Sequence, residues 1–491
     1  MQRVTNSDDL APEMINLPKP TTVAQCHEVI DALGLQVEFL RGQVISQSQV
    51  LAVLQERLKL DSKNSSKPPS SDGPASGNRA QRRASLRKRG AQVGHKGSFR
   101  ALLDETQVDE ITHCRPAEVC DCGAAVVALA EEPIRHQVFD VPPPVKAQVQ
   151  EYRRYAGRCT GCGKAHRAAL PAGVPSGQIG PRALALIGTL GTHYHLTQYK
   201  IRDLLARLTG VDFSVGAVSQ AHGKVAQALA APLTQIAAYV VQAPVKQMDE
   251  TRYPREGGSN WAWTVVTPEV VWLSLLPSRA RYVATSLVGE QFSGILVSDR
   301  YAVYDYVDAD KRQVCWAHLL RDFTRIGARA GQAGQVGRGL LGAGYVLFRW
   351  RKQGKTSAAQ FDPLRRRIKR LLEQGRTQTQ CTRTANTCAN LINIWPALWN
   401  FVDNGTVPPT NNDAERALRP LVLKRKISGP TRSRRGVEFL ARGFSVYETC
   451  RRQGRDLWDY MHAATLAWID NTAAPSLWPA APKNGVLAPS G

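Results

Sequence analysis

No stretch of this 491-residue chain approaches the roughly 20 consecutive apolar residues that a membrane-crossing helix needs. The opening Met1-Gln-Arg-Val-Thr-Asn-Ser-Asp-Asp-Leu has no apolar core of the kind a secretory signal carries. The expectation is a cytoplasmic protein with no membrane partner. In that compartment structural disulfides are disfavoured, so the ten cysteines count as thiols or metal ligands. Acidic residues are also short. Forty-one Asp and Glu face 64 Lys and Arg, leaving a formal charge of +23 and a pI near 9.9. That balance fits a membrane-surface or ribosome-associated protein as well as a DNA binder, and its distribution separates them. Between Arg79 and Arg100 there is no acid at all and there are eight basic residues, Arg82, Arg83, Arg87, Lys88 and Arg89 among them. Between Arg416 and Arg455 twelve basic residues face only Glu438 and Glu448. Either run alone reads equally as a solvated face. Together they favour a surface that tracks phosphates.

Hydrophobic residues make up 43% of the chain, which excludes wholesale disorder, and the length suggests roughly three domains. Residues 27–60 carry a heptad pattern, with Ile30, Val37, Val44, Leu51 and Leu58 at a and Leu33, Leu40, Gln47 and Leu54 at d. Eight of these nine positions are apolar, which predicts a coiled-coil helix and a homodimer or higher homo-oligomer. The competing reading is a helix packed on the rest of the chain, and Gly34 and Gly42 each cost about 1 kcal/mol relative to Ala. Residues 61–100 read as a disordered basic linker, because Asp61–Asn78 is Ser, Pro and Gly-rich with nothing to bury. Residues 101–171 contain Cys120-Asp-Cys122-Gly and Cys159-Thr-Gly-Cys162-Gly, 36 residues apart. Two such turns predict a structural Zn²⁺ on four thiolates in a zinc-ribbon-like module. The single-residue gap in the first leaves Cys114 or His113 as a replacement ligand, and buried free thiols are the bland alternative. Residues 172–240 read as helical. Pro181 suits a first helical position, Gly210 a stop and Ser214 a cap, in helix-turn-helix outline, although any helical pair shares that outline.

From Ala243 the pattern turns to strands: Lys246–Thr251, Asn260–Thr267, Val270–Leu276, then a helix at Arg281–Phe292 and a strand at Gly294–Ser298. That order predicts a ribonuclease H-like core over 243–325 with its first and fourth strands side by side, by fold analogy. Residues 326–409 read as a basic helical insertion, 410–462 as the rest of the core and 463–491 as a tail. The fold class is multidomain α+β. Asp249 and Asp299 end the first and fourth strands, and Glu415 opens a basic helix capped by Thr410 or Asn412. Three such carboxylates suit a pair of hard divalent cations, although a lone first-turn Glu more often complements the helix dipole. Glu250 points to the opposite face of the strand. His318 reads as a packed histidine or as a contact to the scissile phosphate, and Cys315 as buried. Arg416, Arg419, Lys424, Arg425, Lys426, Arg432, Arg434 and Arg435 are candidates for DNA backbone contacts.

Lys63-Asn-Ser-Ser-Lys-Pro-Pro-Ser-Ser-Asp, Gly94-His-Lys-Gly, Met248-Asp-Glu-Thr, Ser298-Asp-Arg-Tyr, Cys315-Trp-Ala-His-Leu and Asn411-Asn-Asp-Ala-Glu-Arg-Ala-Leu-Arg-Pro stand in order along the chain. In these motifs the chain resembles the large transposase of the insertion-sequence 66 family. The resemblance implies a bacterial DDE transposase with Asp249, Asp299 and Glu415 as its triad and two Mg²⁺ (or Mn²⁺) ions. It also implies a zinc-binding domain, transposon inverted repeats and target DNA as partners, and accessory proteins of the same element. A metal-dependent nuclease without strand transfer, or a zinc-containing DNA-binding regulator, are the alternatives from other functional classes.

Overall fold

The computed structural model describes residues 21–58, 100–127, 129, 131–141, 143–255, 258–289 and 292–479. The linker, the arginine block Arg82–Arg89 and the two N-terminal motifs of the resemblance lie outside those residues. The chain divides into two units, residues 1–76 and 77–491.

In the first unit α1 spans Val23–Leu58 and begins four residues earlier than the heptads predict. Gln25 explains the early start, since its side chain accepts the Thr21 and Thr22 N–H groups that a helix end leaves without partners. Seam residues Ile30, Leu33, Val37, Leu40, Val44 and Leu51 are all exposed.

The second unit opens on irregular chain and a short hairpin of β1 (Ala156–Arg158) and β2 (Ala165–Arg167). Four helices follow: α2 (Pro181–Thr192), α3 (Gln198–Thr209), α4 (Val215–Ala228) and α5 (Ala230–Gln242). Their ends follow the sequence signals. Pro181 opens α2, Gly210 ends α3 at φ 72°, and Ser214 accepts the Ala217 N–H. In α4 Val218, Ala221, His222, Val225, Ala226 and Ala228 are buried, while Val215, Gly216, Gln220 and Gln227 are exposed.

A five-stranded sheet carries the rest: β3 (Val245–Arg255), β4 (Gly258–Val266), β5 (Val271–Leu276), β6 (Ile295–Ser298) and β7 (Arg312–Val314). Its order is β5-β4-β3-β6-β7, with β3, β4 and β5 antiparallel and β3, β6 and β7 parallel. Between β5 and β6, α6 covers only Arg281–Val288, shorter than predicted, because Gly289 turns the chain at φ 100°. The β6–β7 connection holds two single 3-10 turns, Ala302–Tyr304 and Ala309–Lys311.

After β7 come α7 (Trp316–Gly327) and the insertion helices α8 (Gly331–Lys352), α9 (Ala358–Thr377), α10 (Thr382–Asn393) and α11 (Asn400–Asp403). Gly337 lets α8 meet α7 backbone to backbone, since a Cβ there would strike Gly327. The insertion builds its own core around Trp316, Phe361, Trp399 and Phe401, with the Trp316 indole donating to the Leu398 carbonyl at 2.8 Å. The chain then returns to where it left. The Trp316 N–H donates to Pro409 O at 2.9 Å, so both ends of the insertion are tied beside β7.

Three helices complete the unit: α12 (Asn412–Ser428), α13 (Arg434–Arg452) and α14 (Leu457–Ile469). The tail expected from residue 463 therefore starts inside α14. Ser445 and Thr449 of α13 accept the Leu273 and Val271 N–H groups at 2.8 and 3.1 Å. That closes the free edge of β5, which would otherwise offer unpaired donors.

Candidate active site

The three acids come from three elements, and register places two of them. Gln247 of β3 pairs with Val297 of β6 in parallel, and the same register carried two residues on brings Asp249 beside Asp299. Asp299 follows the end of β6 as expected, but Asp249 lies within β3, which continues to Arg255 on its pairing with β4. Asp299 lies just past β6, where its carboxylate accepts the Tyr301 N–H at 2.9 Å. The buried Arg312 guanidinium donates to its carbonyl at 2.8 Å. Backbone and side chain of Asp299 are thus fixed before any ligand arrives.

Glu415 is brought in by Asn411. The helix cap is Asn411, where the sequence reading expected Thr410 or Asn412, and its side chain makes no cap bond. Instead the buried Asn411 amide donates 2.7 Å to the Met248 carbonyl, the residue before Asp249. Its own N–H donates to Cys315 Sγ at 3.1 Å. One residue therefore locks the start of α12 to β3 and to the chain leading into α7. Glu415, one turn on, faces Arg321 at 3.2 Å and His318 Nδ1 at 3.6 Å.

Electrostatics mark the crowding. Burial holds the Asp249 carboxyl well above the usual range, and the charges of Glu250, Asp299 and Glu415 push it the same way. The three acids do not all bring an oxygen within 4.8 Å of one another, a spacing met among the described residues by Cys315, His318 and Glu415. Glu250 does turn away: it is buried, paired with Arg279 at 2.6 Å and hydrogen-bonded to Tyr304. Cys315 is buried as expected, its thiol pushed up to about 11 by desolvation. His318 is lowered by burial and by Arg321, and its Nδ1 has no hydrogen-bond partner.

The cysteine turns have matching local form. Cys120 N–H donates to Ala124 O and Gly123 N–H back to Cys120 O; Cys159 N–H donates to Lys164 O and Gly163 N–H back to Cys159 O. Both glycines take positive φ, 88° and 71°. Within each turn the N–H of the second cysteine, Cys122 or Cys162, is the main influence lowering the first thiol. The four sulfurs do not meet as one ligand group, so the turns fit zinc knuckles locally without a shared centre.

Of the basic candidates, Arg416, Arg419, Lys426, Arg432, Arg434 and Arg435 are exposed and Arg425 is half-buried. Lys424 is a correction. It is buried, its ammonium donates 2.6 Å to the Leu196 carbonyl, and desolvation lowers it to about 8. A group spent on holding α12 to the α2–α3 turn cannot track a phosphate. Asn411 and Arg321 escaped the sequence reading. Arg321 stands three residues after His318 on one helix, a spacing that predicts a shared face.

The model of the transposase IS66 family matches residues 176–439, more than half of the chain and all three acids. The chain belongs to the transposase IS66 family. A family of unknown function, DUF6444, matches residues 15–101 of this transposase-family protein. Two uncharacterized proteins of Sinorhizobium fredii are similar along much of its length. Protein y4hP is 23% identical over 467 residues, 86% of this chain and 83% of its own. Protein y4qI is 25% identical over 406 residues, 74% and 72% of the two. Among the described residues no helix is long and apolar enough to cross a membrane.

Proposed function

We propose that the chain is a DDE transposase that binds transposon ends, cleaves the DNA strand there and joins the freed 3′ end to target DNA. The observation that carries this reading is the convergence of Asp249 and Asp299 by strand register, with Glu415 tethered to the same stretch of β3 through Asn411. The order β5-β4-β3-β6-β7, three strands antiparallel and two parallel, supports a ribonuclease H-like core. A bound pair of Mg²⁺ or Mn²⁺ ions would supply activation of the attacking oxygen and charge relief at the departing one. The residues fit such a pair, because the charges of Asp299 and Glu415 press on the Asp249 carboxyl and bound cations would relieve that crowding. Asp249 would offer its oxygens from within β3 and Asp299 from just past β6, with Arg321 and His318 orienting Glu415.

DNA would run along α12. Arg416, Arg419 and Lys426 fall at spacings of three and seven on its exposed side, while Ala414, Ala417, Leu421 and Lys424 face inward. Arg419→Ala is expected to lower the salt slope of DNA binding by about 1 and leave the melting temperature unchanged. Lys424→Ala should do the reverse, because it exposes a buried carbonyl and touches no DNA. Salt titrations and thermal melts of both variants separate the roles. Equal effects on the slope would return Lys424 to the DNA face.

The basic arm around Arg82–Arg89 and the α1 seam would add end binding and self-association, and each cysteine turn would offer two thiolates toward structural zinc. The deciding experiment supplies precut transposon ends and target plasmid with Mg²⁺. Joined products, absent with EDTA, are expected. Cleavage of uncut ends without joining would make the protein a nuclease.

A further inference from the structure

We propose that Cys315, His318 and Glu415 form a second kind of metal site, for a borderline-soft divalent cation such as Zn²⁺, which disables the carboxylate centre when filled. The three side chains each offer a ligand atom within 4.8 Å of the other two. Helical spacing explains why. Cys315 occupies the N-cap position of α7 and His318 its third residue, so both stand over the same turn, and Glu415 reaches across from α12. His318 Nδ1 is buried, has no hydrogen-bond partner and lies 3.6 Å from Glu415 Oε1. Cys315 Sγ already accepts the Asn411 N–H at 3.1 Å, the kind of outer bond that fixes a thiolate ligand.

The donor set decides which ion enters. Mg²⁺ demands oxygen ligands in octahedral array, so sulfur and imidazole reject it. Zn²⁺ takes thiolate, imidazole and carboxylate together, and three protein ligands leave its fourth position to water. Binding releases the Cys315 thiol proton to solvent, and thiolate, carboxylate and neutral imidazole then balance the dication. Glu415 exchanges its Arg321 ion pair for the metal. Because Glu415 is the one side chain shared with the Asp249–Asp299 centre, hard and soft ions compete for it. Inhibition rests on the DDE reading above; ion binding does not.

The test uses the full-length protein and Cys315→Ser, which keeps an acceptor for the Asn411 N–H but is a poor zinc ligand. Co²⁺ substitution is expected to give a weaker thiolate charge-transfer absorption in C315S, by one ion's worth, with the knuckle cysteines present in both proteins. In Mg²⁺-supported cleavage, with each protein referred to its own zinc-free rate, C315S should need at least about tenfold more Zn²⁺ for half inhibition. Glu415→Gln provides a second binding variant should C315S fail to fold, and its Co²⁺ band should fall likewise. Identical Co²⁺ absorption in the parent and in the folded variant, or unchanged zinc inhibition in C315S, overturns the proposal. A protein that never cleaves DNA but shows the one-ion difference refutes the DDE reading and leaves the metal site standing.

Discussion

Asp249→Asn is expected to abolish strand cleavage, on the order of 10³-fold or more, while binding to transposon ends survives. The substitution keeps the shape of the side chain and removes the charge that stands between Asp299 and Glu415. Stability provides an independent readout. In EDTA the folded Asp249 carboxyl keeps its proton above the usual carboxylate range, whereas the unfolded chain releases it within that range. As pH rises through that range the folded state therefore binds more protons than the unfolded one, and stability falls until the folded carboxyl ionises as well. D249N lacks this loss, so its melting temperature in EDTA should vary less with pH above the carboxylate range. Divalent ions should raise the parent's melting temperature, by about 2.7 kcal/mol in stability at a hundred times Kd. That gain should vanish in D249N. Normal cleavage by D249N, or an undiminished metal-induced shift, would remove Asp249 from the centre.

Much of this site was legible in the residues. The strand end before Asp299 follows from a short β-rich run, whereas β3 runs six residues past Asp249, and the caps at Pro181, Gly210 and Ser214 lie where local chemistry puts them. Local rules reach this far because such signals depend on neighbours within about a turn. Lys424 shows a signal present but overridden. It continues the inward series Ala414, Ala417, Leu421, so its period already argued for burial, while its charge argued for DNA. Asn411 shows a signal that was absent. Its side chain serves a carbonyl 163 positions away, and no spacing within the motif announces that partner. The insertion is similar: helices could be expected from composition, but the return of Pro409 to the Trp316 N–H depends on how α7 to α11 pack.

That tether makes Asn411 the most informative position outside the triad. Asn411→Ala removes the donor to Met248 O and leaves a buried carbonyl without its partner, at a cost of about 1–3 kcal/mol. The backbone donation to Cys315 Sγ remains, so α12 should still begin near residue 412. What is lost is the fixed distance between β3 at Met248 and the first turn of α12. A displacement of about 1 Å in such a centre costs on the order of 10²-fold in rate, and N411A is expected to lose about that much cleavage. Asp249 and Asp299 stay in register through β3 and β6, so the metal-induced rise in melting temperature should persist in N411A, unlike in D249N. Asn411→Asp should be worse than alanine, because it sets a buried negative charge against the Met248 carbonyl. Cleavage rates and metal-induced melting shifts for the three proteins order these effects. Full activity in N411A would mean that Glu415 is placed by the packing of α12 alone.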